Sequence, residues 1–138
     1  MVVAGLIVIA DQCSKYVVNK NIPLNCSVPI IKNIFHITFV KNQGIAFGIF
    51  HEKNLFFIFF TGALIGALLV FSKKFITHFY SRLGFSLILA GAIGNFVDRI
   101  NLGYIVDFLD FRIWPVFNLS DVSLCAGVIF LCIQFYLK

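Results

Sequence analysis

Four apolar runs, separated by stretches that hold most of the polar residues, set the outline of this chain. Residues 54–71, NLFFIFFTGALIGALLVF, carry no charge. Residues 83–97, extended backwards by Phe79, Tyr80 and Arg82, form a second such run, and 122–137 a third, closed by Lys138. The start of the chain is the fourth: residues 1–10 are uncharged, and apolar character resumes at Tyr16–Val18 after Asp11 and Lys15. A helix needs about 20 apolar residues to cross a bilayer. The pattern predicts spans over about 1–19, 54–71, 79–97 and 121–137, with Asp11 and Lys15 tolerated inside the first. No basic stretch precedes the first run and no small-x-small site follows it, which favours a span over a signal peptide. Gly62 and Gly66 form a G-x-x-x-G pair, which predicts that another helix packs closely there.

Between the first two runs the period changes. In NIFHITFVK, Phe35, Ile37 and Phe39 alternate with His36, Thr38 and Val40, nearly the period of a half-buried strand. CSVPII precedes it and can pair with it, with Pro29 at an edge. Asn42-Gln43-Gly44 then reads as a turn. The expected fold is therefore an all-α membrane protein: four transmembrane helices with a small β-sheet on the outer (periplasmic) membrane surface, in one domain over 1–138.

Composition agrees with lipid as the main solvent. The chain is 60% hydrophobic and 12% charged, where soluble domains average about 25% charged. The net charge of +5 does not point to nucleic acid, because the basic residues lie in loops and form no stripe with interleaved aromatics; anionic lipid headgroups fit them better. The 72–82 connection, with Lys73, Lys74 and Arg82, is the densest basic cluster and is expected in the cytoplasm. Both termini then lie in the cytoplasm, and 20–53 and 98–121 lie outside. The four lysines of 20–53 weigh against this orientation but are spread along the segment. Cys13, Cys26, Cys125 and Cys132 match no zinc or redox spacing, so neither a metal site nor a disulfide is expected. His36, His51 and His78 are scattered and receive no chemistry; Glu52 reads as a solvated loop residue.

Ionisable residues in such a setting suggest function, and each has a plainer reading beside it. Asp11 and Lys15 share a helix face, as a structural ion pair or as part of a site. Asn95 and Arg99 share another, beside Gly91, while Asp98 and Arg99 do not face each other; interfacial anchoring is the plain alternative. Asn118, Ser120 and Asp121 are good N-cap residues for the last helix. Asn42 and Gly44 are most simply a turn. Asp107 and Asp110 can be ordinary interfacial acids. No Ser–His or Cys–His pair, H-E-x-x-H or phosphate loop is present, so catalysis here would fall to aspartates. Asp107 and Asp121 both fall at the predicted outer face. Two carboxylates brought together there cannot both ionise, and a shared proton suits them to activate water.

These motifs resemble the lipoprotein signal peptidases (signal peptidase II). Five blocks match in order: DQCSK from Asp11, NQGIAF from Asn42, GAIGNFVDR from Gly91, VDF from Val106 and FNLSD from Phe117. The resemblance implies a membrane aspartic endopeptidase that removes the signal peptide from a diacylglyceryl-modified prolipoprotein, cutting just before the lipidated cysteine. It implies Asp107 and Asp121 as the catalytic dyad. It implies Asp11, Lys15, Asn42, Gly44, Asn95, Asp98, Arg99 and Asn118 as residues that shape the site or bind substrate, with Asn95 and Arg99 on the substrate backbone. Asp110 matches no catalytic position. No cofactor or metal is implied; the expected partners are the prolipoprotein and membrane lipids, and the expected state is a monomer. The expected location is the bacterial cytoplasmic (inner) membrane, with the active site facing outward. Ser120 stands where the family usually has Ala, and Ala90 where it usually has Gly. Ten residues precede Asp11, fewer than the family commonly has, which points to a short first helix or a trimmed start. The main rival reading is a small four-helix proton-coupled transporter, for which Asp11 is the only mid-span acid; a non-catalytic assembly subunit is a third.

Overall fold

The computed structural model describes residues 2–44, 54–75 and 78–137. Helices α1 (Val2–Asn21), α2 (Asn54–Phe75), α3 (Phe79–Asn101) and α4 (Leu119–Tyr136) are joined by strands β1 (Ser27–Ile31), β2 (Phe35–Asn42) and β3 (Ile105–Asp110). Each helix is long and apolar enough to cross a membrane. The part of the NQGIAF block beyond Gly44, the loop reading of His51 and Glu52, and the role of Lys138 fall outside the described residues.

Three expectations change. First, α3 runs four residues past the predicted end, so Asp98 and Arg99 belong to a helix rather than to an outer loop. Gly103, at φ +78, terminates it, with its N–H on the Arg99 carbonyl at 3.2 Å. Second, the segment expected as a loop over 98–121 contains β3. Ile105–Asp110 is a short run rich in β-branched and aromatic residues, and it is buried on both faces, so it lacks the alternation that marked β2. Third, the predicted close packing at Gly62 and Gly66 is not where helices meet most tightly. A Cβ on Gly66 would touch nothing within 4 Å among the described residues, and one on Gly62 would lie 3.4 Å from Phe96. The tight seam is α3 on α4: a Cβ on Gly84 would sit 2.7 Å from the Gly127 carbonyl, and one on Gly127 would sit 2.6 Å from Ile88 Cγ1. Small residues there let the two backbones approach. Behind the seam, Leu89 and Ala90 are fully buried.

The sheet is antiparallel in the order β1-β2-β3, packed on the upper half of α1 through Val18, Phe39, Val106 and Phe108. Its pairing contains a bulge that matters for the site. Ile37 and Val40, three apart on β2, sit opposite Leu109 and Asp107, two apart on β3, so β2 carries one extra residue. A regular strand would place His36 and Asn42 on one face. With the extra residue, His36 pairs opposite Asp110 while Asn42 reaches Asp107, and those two acids, three apart on β3, face opposite ways. Bulges commonly re-aim a side chain in this manner.

Candidate active site

The site forms where α3 ends, α4 begins and β3 crosses. Asn118 is its hub. As the N-cap of α4 it makes a capping box: its Oδ1 accepts from the Asp121 backbone N–H at 3.0 Å, and its own backbone N–H donates to Asp121 Oδ2 at 3.2 Å. Because a backbone donor fixes Oδ1, the other end of the amide must be the NH2 group. That group donates to Asp107 Oδ1 at 2.6 Å and to Asn95 Oδ1 at 3.2 Å. Asn95 is oriented in turn, since its Oδ1 also accepts from the Lys15 ammonium at 3.0 Å, which leaves its NH2 group for Asp121 Oδ1 at 2.8 Å. Asn42 completes the set. Its Oδ1 accepts from the Gly44 N–H at 2.9 Å, a local turn, and its NH2 group donates to Asp107 Oδ2 at 2.9 Å. Each of the two carboxylates thus receives two N–H donors, and one asparagine touches both.

The two acids differ in surroundings. Asp107 is 2% exposed, whereas Asp121 is half-buried and Asn42 exposed, so the site opens on the Asp121 and Asn42 side. Burial pushes the Asp107 carboxyl up to about 6, against the hydrogen bonds from Asn42 and Asn118, with the Asp121 charge adding to the rise and Lys15 opposing it. Burial penalises the charged form, and these donors only partly offset it.

Beneath the dyad lies a buried ion triad. Lys15 Nζ sits 2.8 Å from Asp11 Oδ2 and 3.0 Å from Asp98 Oδ2. With Asn95, that uses all three ammonium donors. The carboxylates find further donors: the Ser120 N–H on Asp11 Oδ1 at 2.9 Å, the Val106 N–H on Asp98 Oδ2 at 3.0 Å, and Gln12 Nε2 on Asp98 Oδ1 at 2.9 Å. So Asp11 and Lys15 pair as their spacing predicts, but at the middle of α1 and level with the first turn of α4. The triad joins α1, α3, β3 and α4. Asp11 is fully committed there, which removes the acid on which the transporter reading depends. A pocket of about 150 Å³ lined by Gln12, Lys15, Tyr16, Asp98 and Asn101 opens behind the triad, away from the dyad.

Arg99 lies at the rim. Its guanidinium stacks 5.3 Å from the Phe57 ring and lies within electrostatic reach of Asp121, Asp98 and Asp107. The same ring backs Gly44, where a Cβ would come within 2.9 Å of Phe57 Cε2 and the backbone has φ +80. All ten residues singled out in the sequence therefore fall on this cluster. Gln12 and Phe57 went unassigned there. Gln12 had a signal, since it sits one turn before Lys15; Phe57 had none in a span full of phenylalanine. Asp110 is apart from the dyad, held by Thr38 Oγ1 at 2.6 Å and by Arg112. Those bonds, the Thr38 one foremost, keep its carboxyl below the usual range.

Known proteins resemble this chain along nearly its whole length. Residues 3–137 match the family model described as Signal peptidase (SPase) II. A protein named lipoprotein signal peptidase from Moorella thermoacetica is 42% identical over 139 residues, covering 99% of this chain and 92% of that protein. One of the same name from Clostridioides difficile is 42% identical over 132 residues, covering 93% of this chain and 88% of the relative. A solved bacterial membrane enzyme, obtained in meso at 1.9 Å, superposes with a TM-score of 0.88 at 36% identity, covering 97% of this chain and 90% of that one.

Proposed function

The chain belongs to the signal peptidase II family, and on that premise we propose that Asp107 and Asp121 are the acid–base pair with which it cleaves signal peptides from prolipoproteins. The observation that carries this is the Asn118 bridge, which holds both carboxylates on one amide-oriented scaffold. Two such acids, one buried, retain a single proton between them. The ionised partner takes a proton from water as it attacks the scissile carbonyl. The protonated partner donates to the developing oxyanion; as the diol intermediate collapses, the acid that took the water proton passes it to the leaving amine and the other recovers its proton from a diol hydroxyl. The charges balance without a metal.

Arg99 is the group best placed to hold the substrate backbone, since it sits at the open rim; Asn95, buried and bonded to Lys15, Asn118 and Asp121, positions the two acids instead. The substrate is a prolipoprotein whose cysteine bears a diacylglyceryl group, cut just before that cysteine. A site at the end of a membrane bundle suits it, because the acyl chains stay in lipid while the peptide bond meets water. Helix directions support the orientation. The site lies beside the middle of α1, where α3 finishes and α2 and α4 start, so both chain ends sit toward the opposite side of the bundle, on this reading the cytoplasmic side of a bacterial inner membrane. One chain supplies every group named in the network, so the proposed chemistry needs no residue from a second copy.

The test is direct. Purified protein in lipid, given a diacylglyceryl-modified prolipoprotein, should release the signal peptide. Asp107→Asn and Asp121→Asn variants that keep the native melting temperature should not. Full cleavage by either variant would remove it from the dyad.

A further inference from the structure

Asp110 has no part in the proposed chemistry, yet it is buried and fully bonded. It accepts from Thr38 Oγ1 at 2.6 Å, from the Arg112 N–H at 2.8 Å and from the Arg112 guanidinium at 3.0 Å. Arg112 has φ 65, an uncommon conformation for a residue with a side chain. The acid therefore pins a sharp turn directly after β3. What the turn presents is apolar: Ile113 is 92% exposed and Trp114 70%. The β1–β2 hairpin ends beside it, because the Phe35 ring packs tilted against Phe111 at 4.9 Å and Phe111 stacks on Phe117 at 5.9 Å. That hairpin exposes Ile30, Ile31 and Ile34, with Lys32 among them.

Side chains of this kind on a rigid support are not what an aqueous cap needs; exposed apolar patches of this character mark contact surfaces. The neighbouring surface says which contact. Asp11 is tied to the first turn of α4, so the ten residues of α1 beyond it rise about 15 Å past the start of that helix. This upper half still exposes Tyr16 and Val17. Between it and the sheet runs an apolar groove of about 640 Å³, lined by Val17, Ile22, Val28, Ile30 and Phe108. The lipid-facing character of the bundle thus continues to the end of the sheet, where Trp, Arg and Lys, the residue types that favour the membrane interface, are gathered.

We propose that the hairpin tip and the Asp110-pinned turn form a lipid anchor, with Ile34, Ile113 and Trp114 inserted at the headgroup–acyl boundary and Lys32 and Arg112 at the phosphate level. The sheet is then fastened to the leaflet it overlies, about three strand residues, or about 10 Å, from Asp107.

Trp114 is the sole tryptophan, so its fluorescence reports on this turn alone. The full chain is reconstituted in nanodiscs whose acyl chains are brominated near the headgroup, or unbrominated, and aqueous iodide is titrated into each. Insertion predicts strong quenching by the bromolipid and little by iodide. An Asp110→Asn variant, with the turn unpinned, should show weaker bromolipid quenching and easier iodide access at unchanged helix content. Iodide quenching with no bromolipid effect would place the turn in water and overturn the proposal. Protection from both quenchers that rises with protein density would assign the patch to contact between protein chains, and would overturn it equally.

Discussion

Removing the Lys15 ammonium tests the ion triad and its hold on the dyad in one perturbation. Lys15→Met keeps the volume and the apolar stem but leaves Asp11 and Asp98, both under 3% exposed, without their shared cation. Breaking a buried ion network on one side costs about 3–5 kcal/mol, because the remaining charge is uncompensated. The backbone donors of Ser120 and Val106 remain, which favours the lower half of that range. For a chain of this size about 3–4 °C accompanies each kcal/mol, so the melting temperature should fall by about 10 °C or more. Thermal unfolding in one fixed detergent measures it. Adding Asp98→Asn to Lys15→Met relieves part of the repulsion and should recover some of the loss, the non-additivity expected of groups in contact. Turnover should not recover with it. Asn95 Oδ1 then keeps only the longer bond from Asn118 at 3.2 Å, so its NH2 group is held less firmly on Asp121. A Lys15→Met melting temperature within a few degrees of native would refute the account of the triad. A doubly substituted protein that regains both stability and turnover would refute the positioning role.

The proposed dyad also sets a pH dependence. Burial holds the Asp107 carboxyl near 6, so the singly protonated pair is lost as pH rises through that value, and kcat/KM should fall on that limb. The measured midpoint belongs to the pair. The Asn42 hydrogen bond lowers the Asp107 value, so Asn42→Ala should move the limb to higher pH; a move to lower pH would contradict the assigned bond. Ser120 Oγ is fully buried and has no hydrogen-bond partner among the described residues. An unsatisfied buried hydroxyl costs about 1 kcal/mol or more, so Ser120→Ala should raise the melting temperature by a few degrees and keep cleavage, while a lower melting temperature would mean that the hydroxyl is bonded.

The sequence by itself determined the helices and named the acids. Spans follow from local composition, because each must bury its own backbone hydrogen bonds in lipid, and that leaves a continuous apolar run to read. The capping role of Asn118 and Asp121 and the pairing of Asp11 with Lys15 are local too, set by spacings of three and four residues. The five ordered motif blocks carried the resemblance and with it the choice of Asp107 over Asp110, which composition could not make. Only the tertiary structure decided how these pieces act together. β3 escaped notice because burial on both faces erases the alternation that marks a strand. The extra residue in β2, invisible in its own pattern, exists only relative to β3, and it turns Asn42 toward Asp107. The link from Lys15 through Asn95 and Asn118 to both acids joins residues as far as 106 positions apart, Lys15 to Asp121. Amide orientation along that path is fixed by donors from other elements. No local signal encodes it, because each bond exists only once the helices and the sheet have packed.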